Sequence, residues 1–231
     1  SKTTVWRFLV LLAIDTSTTW ISLALYDGVQ VRYETTWQSQ HHHTVELAPG
    51  IAHLFEQTGA DQENLTGLGA AIGPGSFTSL RIGLAAVKGL SLARNLPVAG
   101  VPTLDILAAA QPPEDKPLIA VLQAGRTRLA YAPYRNEDGV WRAQAEAAVI
   151  DAEALVKTIN EPTILCGELS EEARSVLGRR WKNVLLAPPA RCLRRAGFLA
   201  QIAWERLDQD QGDDPMTLAP IYLHTATPIP E

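Results

Sequence analysis

Cysteine is nearly absent: Cys166 and Cys192 are the two in 231 residues, and neither stands in a C-x-x-C or other metal-ligand spacing. That excludes a disulfide framework and gives a zinc site no support. Two small buried residues in a reducing, cytoplasmic compartment is the plain reading. Positive charge is also scarce. Twenty Lys and Arg against twenty-five Asp and Glu give a formal charge of -5, so little is available to hold a phosphate backbone through counterion release. Any RNA contact then falls mainly to a partner. No apolar run reaches bilayer length: Phe8 to Ile14 is too short, is ended by Asp15, and lacks the small-residue cleavage site of a signal peptide. Ser1 to about Val5, with no initiator methionine, is read as processing residue and carries no weight in the fold.

Catalytic motifs are sparse too. There is no G-x-x-x-x-G-K-[ST], and Gly167-Glu168 is all that stands where a glycine-rich adenosine loop would fall. His41-His42-His43 are consecutive, so their side chains point apart, and no H-E-x-x-H completes a zinc protease. A solvated loop before a helix is expected there. Ser76 and Ser79 have no histidine nearby in sequence to activate them.

What is present is a chain with 46% hydrophobic residues, enough to build one large domain or two small lobes. Phe8 to Ile14 predicts a central strand covered on both faces, since a half-exposed strand would alternate. Trp20 to Tyr26 and Val29 to Trp37 flank Asp27-Gly28, a two-residue hairpin signal in which both turn positions need positive φ. A helix is expected from an N-cap at Thr44, with Pro49-Gly50 making it irregular. A strand over Leu68 to Ile72, a helix from Ser76 to about Arg94 and a strand over Pro97 to Val101 complete a ribonuclease-H-like order. The second half repeats it: strands Leu118 to Gln123, Arg128 to Tyr134 and Val140 to Ile150, with another Asp-Gly turn at Asp138-Gly139. A helix Asp151 to Ile159, a strand Thr163 to Cys166, a helix Ser170 to Leu177, a strand Val184 to Leu186 and a helix Arg191 to Leu207 follow. The expectation is an α/β, actin-like two-lobed fold, each lobe a mixed sheet with helices. The lobes are set at 1–110 and 111–231, with the option that the C-terminal helix and tail pack back on the first.

In actin-like ATPases the turn after each lobe's first strand faces the nucleotide phosphates and commonly carries an Asp. The first such turn here reads Asp15-Thr16-Ser17-Thr18, which could hold a phosphate or could simply bond its own backbone. The second reads Gln123-Ala124-Gly125-Arg126, and a neutral glutamine binds a divalent cation much less well than a carboxylate. Half of the anionic grip is missing, so independent ATP hydrolysis is not expected. Gly73-Pro74-Gly75-Ser76-Phe77-Thr78, running on into Leu80-Arg81-Ile82-Gly83, admits three readings. It is an anion cradle at a helix start, a strand-to-helix turn that needs glycine, or the entry to a partner-facing helix. Ser79, Gly83, Ala86 and Ala93 place small residues along one side of that helix, which would let another helix approach closely.

These residues, with Leu12-Ala13-Ile14-Asp15-Thr16-Ser17, resemble the TsaB (YeaZ) family. The resemblance is dense from about Leu11 to Leu107 and weak in the second lobe, where Leu218-Ala219-Pro220-Ile221-Tyr222-Leu223 is similar to the family's ending. It implies an actin-like fold and a non-catalytic place in the bacterial pathway that makes N6-threonylcarbamoyladenosine at position 37 of tRNA. The partners it implies are a TsaD-like catalytic subunit and a TsaE-like ATPase, with tRNA reached indirectly through the complex and no membrane. It implies no cofactor or metal of the chain's own, ATP and metal belonging to the partner subunits. Carried over by position, the docking surface is Leu47, Ile51 and Leu54 of the first helix and Ser79, Gly83, Ala86 and Leu90 of the second. The same surface can pair two copies when the partner is absent. On this reading Gly83→Leu should abolish docking and leave the melt nearly unchanged. Ser79 stands where the family has glycine, and Gln123-Ala124-Gly125-Arg126 where it has Asp-Ala-Arg-Arg. The alternatives are a small ATPase or kinase using Asp15, or a peptidase after the old label of the wider family.

Overall fold

The computed structural model describes residues 10–40, 42–125, 127–179 and 182–223. Phe8, Leu9, His41 and Arg126 of the features above lie outside them. The chain divides into two compact units, the first running to Val101 and resuming over Arg195–Pro220, the second spanning Pro102–Arg194 and resuming at Ile221.

In the first unit β1 (Val10–Asp15), β2 (Trp20–Tyr26) and β3 (Val31–Gln38) form an antiparallel meander, and β4 (Leu65–Ala71) and β5 (Val98–Val101) add parallel strands, in the order β3-β2-β1-β4-β5. β1 has helices on both faces, as its unbroken apolar run requires. Leu12 and Ile14 enter the core beneath α1 (His43–Thr58) and α2 (Phe77–Arg94). On the other face lies α6 (Ala196–Asp208), whose Ala203 and Leu207 close on Gly69 and Gly67 beside Leu11.

The sheet itself supplies the N-terminal cap that α6 lacks. Arg195 offers no side-chain cap. Instead Gly197 N donates to Glu34 Oε1 at 2.7 Å, Ala196 N to Ser22 Oγ at 2.8 Å, and Arg195 Nε to Glu34 Oε2 at 2.9 Å. Orphan amides at a helix start are thereby satisfied by groups on β2 and β3.

Four local expectations change. Tyr26 pairs with Val31, so the first hairpin loop is Asp27–Gln30 rather than a two-residue turn. Asp27 Oδ1 accepts from Val29 N at 2.9 Å and Gln30 N at 2.7 Å, and Gly28 takes the positive φ, +85°. The Asp138-Gly139 turn keeps the two-residue form, with φ of +53° and +86°. Thr44 does not cap α1, whose N-cap falls two residues earlier at His42. His43 Nε2 donates to Thr18 O at 2.8 Å and pins that start, so His43 is buried rather than solvated. Pro49 lies inside the helix without breaking it, and Gly50 admits the Trp37 ring, which an added Cβ would meet at 2.7 Å.

In the second unit β6 (Leu118–Gln123), β7 (Arg128–Glu137), β8 (Val140–Ala143), β10 (Thr163–Glu168) and β11 (Val184–Leu186) stand in the order β11-β10-β6-β7-β8. Counted from its own first strand this is the order of the first unit. The expected single strand Val140 to Ile150 is two: β9 (Ala148–Asp151) pairs separately with the early part of β7. α4 (Ala152–Thr158) and α5 (Glu171–Gly178) begin on Asp151 and Ser170, whose side chains accept from Glu153 N and Ala173 N. α3 (Thr103–Ala109) was not expected. Among the described residues no helix is long and apolar enough to cross a membrane.

α3 carries a buried carboxyl. Tyr134 Oη donates to Asp105 Oδ1 at 2.6 Å, and burial pushes the Asp105 carboxyl above its usual 3.8 despite that bond. The folded state therefore holds a proton that the unfolded chain has released. Stability contributed by Asp105 is present below the ordinary carboxylate value and lost as pH rises through the raised one. Thermal melts from pH 4 to 7 should show Asp105→Asn gaining on the parent chain as pH increases. Parallel curves would refute the assignment.

Candidate docking face and first turn

α1 and α2 bury one side each. Leu47, Leu54 and Phe55 go inward from α1, and Leu80, Leu84 and Val87 from α2. Each fully buried Leu contributes about 2 kcal/mol. Trp37 Nε1 donates to Glu46 Oε2 at 2.8 Å and ties α1 to β3. What remains between the helices is an open groove of about 280 Å³ lined by Thr44, Leu47, Ala48, Ile51, Ile82, Ala85 and Ala86.

Of the residues carried over by resemblance, the structure brings Leu47, Ile51 and Ala86 together on this groove. Leu90 packs partly buried against the core nearby. Leu54, Ser79 and Gly83 lie beneath the surface. Leu54 is fully enclosed by its own unit, and Ser79 and Gly83 face the first turn rather than outward. Thr44, Ala48, Ile82 and Ala85 were missed. The signal for them was the remainder at i, i+3 and i+4 after the large buried leucines are removed from each helix.

The first turn and the Gly73–Thr78 loop form one structure. Ser76 N donates to Ser17 O at 2.7 Å, Thr16 Oγ1 to Ser79 O at 2.6 Å, and Ser17 N to Asp15 Oδ1 at 2.8 Å. Asp15, Thr16 and Ser17 are buried. The fit leaves no room for a side chain: an added Cβ on Gly75 would meet Ser17 O at 2.2 Å, and one on Gly83 would meet Thr16 Oγ1 at 2.3 Å. Gly73, two residues beyond the end of β4, has φ +106°, after which Pro74 and Gly75 lead to Ser76, the N-cap of α2. Its Oγ accepts from Ser79 N at 3.5 Å and from Ser79 Oγ at 3.0 Å. Thr78 is exposed, as is Phe77, whose ring lies 4.6 Å below the Arg81 guanidinium.

In the second unit Gln123 Nε2 donates to Gly125 O at 2.8 Å, closing its own turn. Gly167 packs so closely on β6 that a Cβ would meet Val121 O at 1.8 Å, and Glu168 holds the buried Arg194, whose Nε donates to it at 2.8 Å. Cys166 and Cys192 are both free and buried, and burial pushes the Cys166 thiol up, the neighbouring Cys192 adding to the effect. Among the described residues no group of three His, Cys, Asp or Glu is placed to hold a metal ion.

Two units of matching strand order, each a mixed sheet with helices on both faces, define an actin-like, ribonuclease-H-like α/β protein. The family model of TsaD, tRNA N6-adenosine threonylcarbamoyltransferase, matches residues 36–183. A tRNA threonylcarbamoyladenosine biosynthesis protein TsaB of Escherichia coli (strain K12) is 33% identical over 148 residues, 62% of this chain and 63% of that protein. Its counterpart in Buchnera aphidicola subsp. Acyrthosiphon pisum (strain APS) is 24% identical over 79% of this chain and 85% of that one. The fold is that of a Pseudomonas aeruginosa protein described as similar to the peptidase YEAZ, with a TM-score of 0.78 and 24% identity over 93% of this chain and 99% of that chain. The chain belongs to the family that the TsaD model describes, on its TsaB (YeaZ) side.

Proposed function

We propose that this chain is a non-catalytic, cytoplasmic subunit in the formation of threonylcarbamoyladenosine on tRNA, and that it docks a TsaD-like catalytic subunit through the α1–α2 groove. The names of its relatives support the pathway. The observation that carries the docking is the groove itself, apolar and walled by Ala48, Ala85 and Ala86, so that a second pair of helices can approach closely. A TsaE-like ATPase joins the pair, tRNA is reached through the assembly, and ATP and metal belong to the partner subunits. The closed Gln123 turn supports a supporting rather than a hydrolytic role, since an amide bonded to Gly125 O replaces a carboxylate that would organise a metal.

Ala85 is exposed and lines the groove, so a long neutral side chain there fills the groove while suiting a helix. Ala85→Gln should weaken binding to the TsaD-like subunit about a hundredfold, some 3 kcal/mol, and leave the melt within a degree or two. Titration calorimetry with unchanged affinity would refute the docking face.

A further inference from the structure

On the α6 side of the first sheet, away from the docking groove, lies a second cavity, of about 180 Å³. Leu11, Gly67 and Leu207 give it an apolar floor, the Trp204 indole a wall, and Asp208 and Asp210, both exposed, complete it. All belong to the first unit. Gly67 keeps the floor open, since a Cβ there would meet Leu207 Cδ1 at 3.0 Å. Trp204 is fixed before anything binds. The Tyr26 ring meets it edge-on with centroids 5.6 Å apart, and a Cβ on Gly28 would meet its Cζ2 at 2.4 Å.

Three sources of negative potential meet at this cavity. Asp208 is the last residue of α6 and Asp210 follows two residues on, so both carboxylates stand at the helix end that the macrodipole already makes negative. An indole face, which attracts cations, is the third. The one cation of that last turn is drawn elsewhere: Arg206 donates to Gly100 O, Gln211 O and Asp213 Oδ1. Among the described residues no Lys or Arg pairs with Asp208 or Asp210.

We propose that this cavity binds a small organic cation, its ring-sized apolar body against Trp204 and Leu207 and its ammonium beside the two carboxylates. Size sets the body: a dry cavity of about 150 Å³ holds one benzene. Charge sets the class, because the floor alone would take a neutral hydrocarbon as readily, whereas carboxylates, helix end and indole all favour a positive group. A wall already held by Tyr26 and Gly28 loses little freedom on binding. The site is independent of the docking reading, which concerns the other side of the sheet.

The test is titration calorimetry of the full chain in about 50 mM salt, with benzylammonium as the probe and benzyl alcohol as its neutral counterpart. The chain should bind benzylammonium at least about tenfold more tightly than benzyl alcohol, and rising salt should narrow the gap. The Asp208→Asn/Asp210→Asn double variant, altered at exposed positions and checked by a melt, should lose that preference while its affinity for benzyl alcohol stays the same. No binding of benzylammonium, equal affinity for the two compounds in the parent chain, or a preference that survives in the double variant overturns the proposal.

Discussion

Gly83→Leu is expected to destabilise the first unit by about 3 kcal/mol and to lower its thermal midpoint by several degrees. An added Cβ at this position would meet Thr16 Oγ1 at 2.3 Å, and the threonine cannot swing aside without releasing its bond to Ser79 O. Overpacking of this kind costs roughly 1–3 kcal/mol, to which the lost buried hydrogen bond adds about 1 kcal/mol. The smaller Gly83→Ala separates clash from helix propensity, since alanine is otherwise the better helix former. In a Thr16→Ala background the same change should become neutral or stabilising, a coupling that a double-mutant cycle reads directly. Additive effects in that cycle would refute the contact. The result also removes Gly83 as a probe of docking: the resemblance places it on the partner face, whereas its neighbour is a threonine of its own unit.

Glu168→Ala should cost the second unit about 3–5 kcal/mol. The Arg194 side chain is 1% exposed and its Nε donates to Glu168 Oε1 at 2.8 Å, so truncating the acid takes the carboxylate from a charge held away from water. Glu168→Gln, which keeps an acceptor of the same length, should recover part of the loss. Urea denaturation of the three chains checks the order, and equal midpoints for parent and Ala variant would sink the argument. The same pair explains why Gly167-Glu168 need not be the residue of an adenosine loop: the glycine is demanded by Val121 O and the acid by Arg194.

Elements with a local physical signature were readable from the residues. Ser76, Asp151 and Ser170 each precede their helices and each accepts from a backbone amide two or three residues on. The Asp138-Gly139 turn and the doubly covered β1 were equally plain. α3 was not, because Thr103, Leu104, Ile106, Leu107 and Ala108 are all buried and a helix covered on most sides shows no amphipathic period. The split of Val140 to Ile150 was hidden as well, since strand propensity does not say which part of β7 each half will meet. In the docking face the helices were legible and their rotation was not. A stripe of small residues marks where something comes close, and on α2 Ser79 and Gly83 of that stripe meet Thr16, Ala86 opens on the groove and Ala93 is exposed away from it.

The cap on α6 has a consequence for how the chain is made. Glu34 and Ser22 emerge early in synthesis, but the amides they receive belong to residues 196 and 197. Until those are released, the face of the first sheet that holds Leu11 and Gly69 lacks the cover of α6, and residues 102–194, which carry every strand of the second sheet, are translated in the interval. The earlier sheet therefore waits, one face open, for a helix made after every strand of the later sheet.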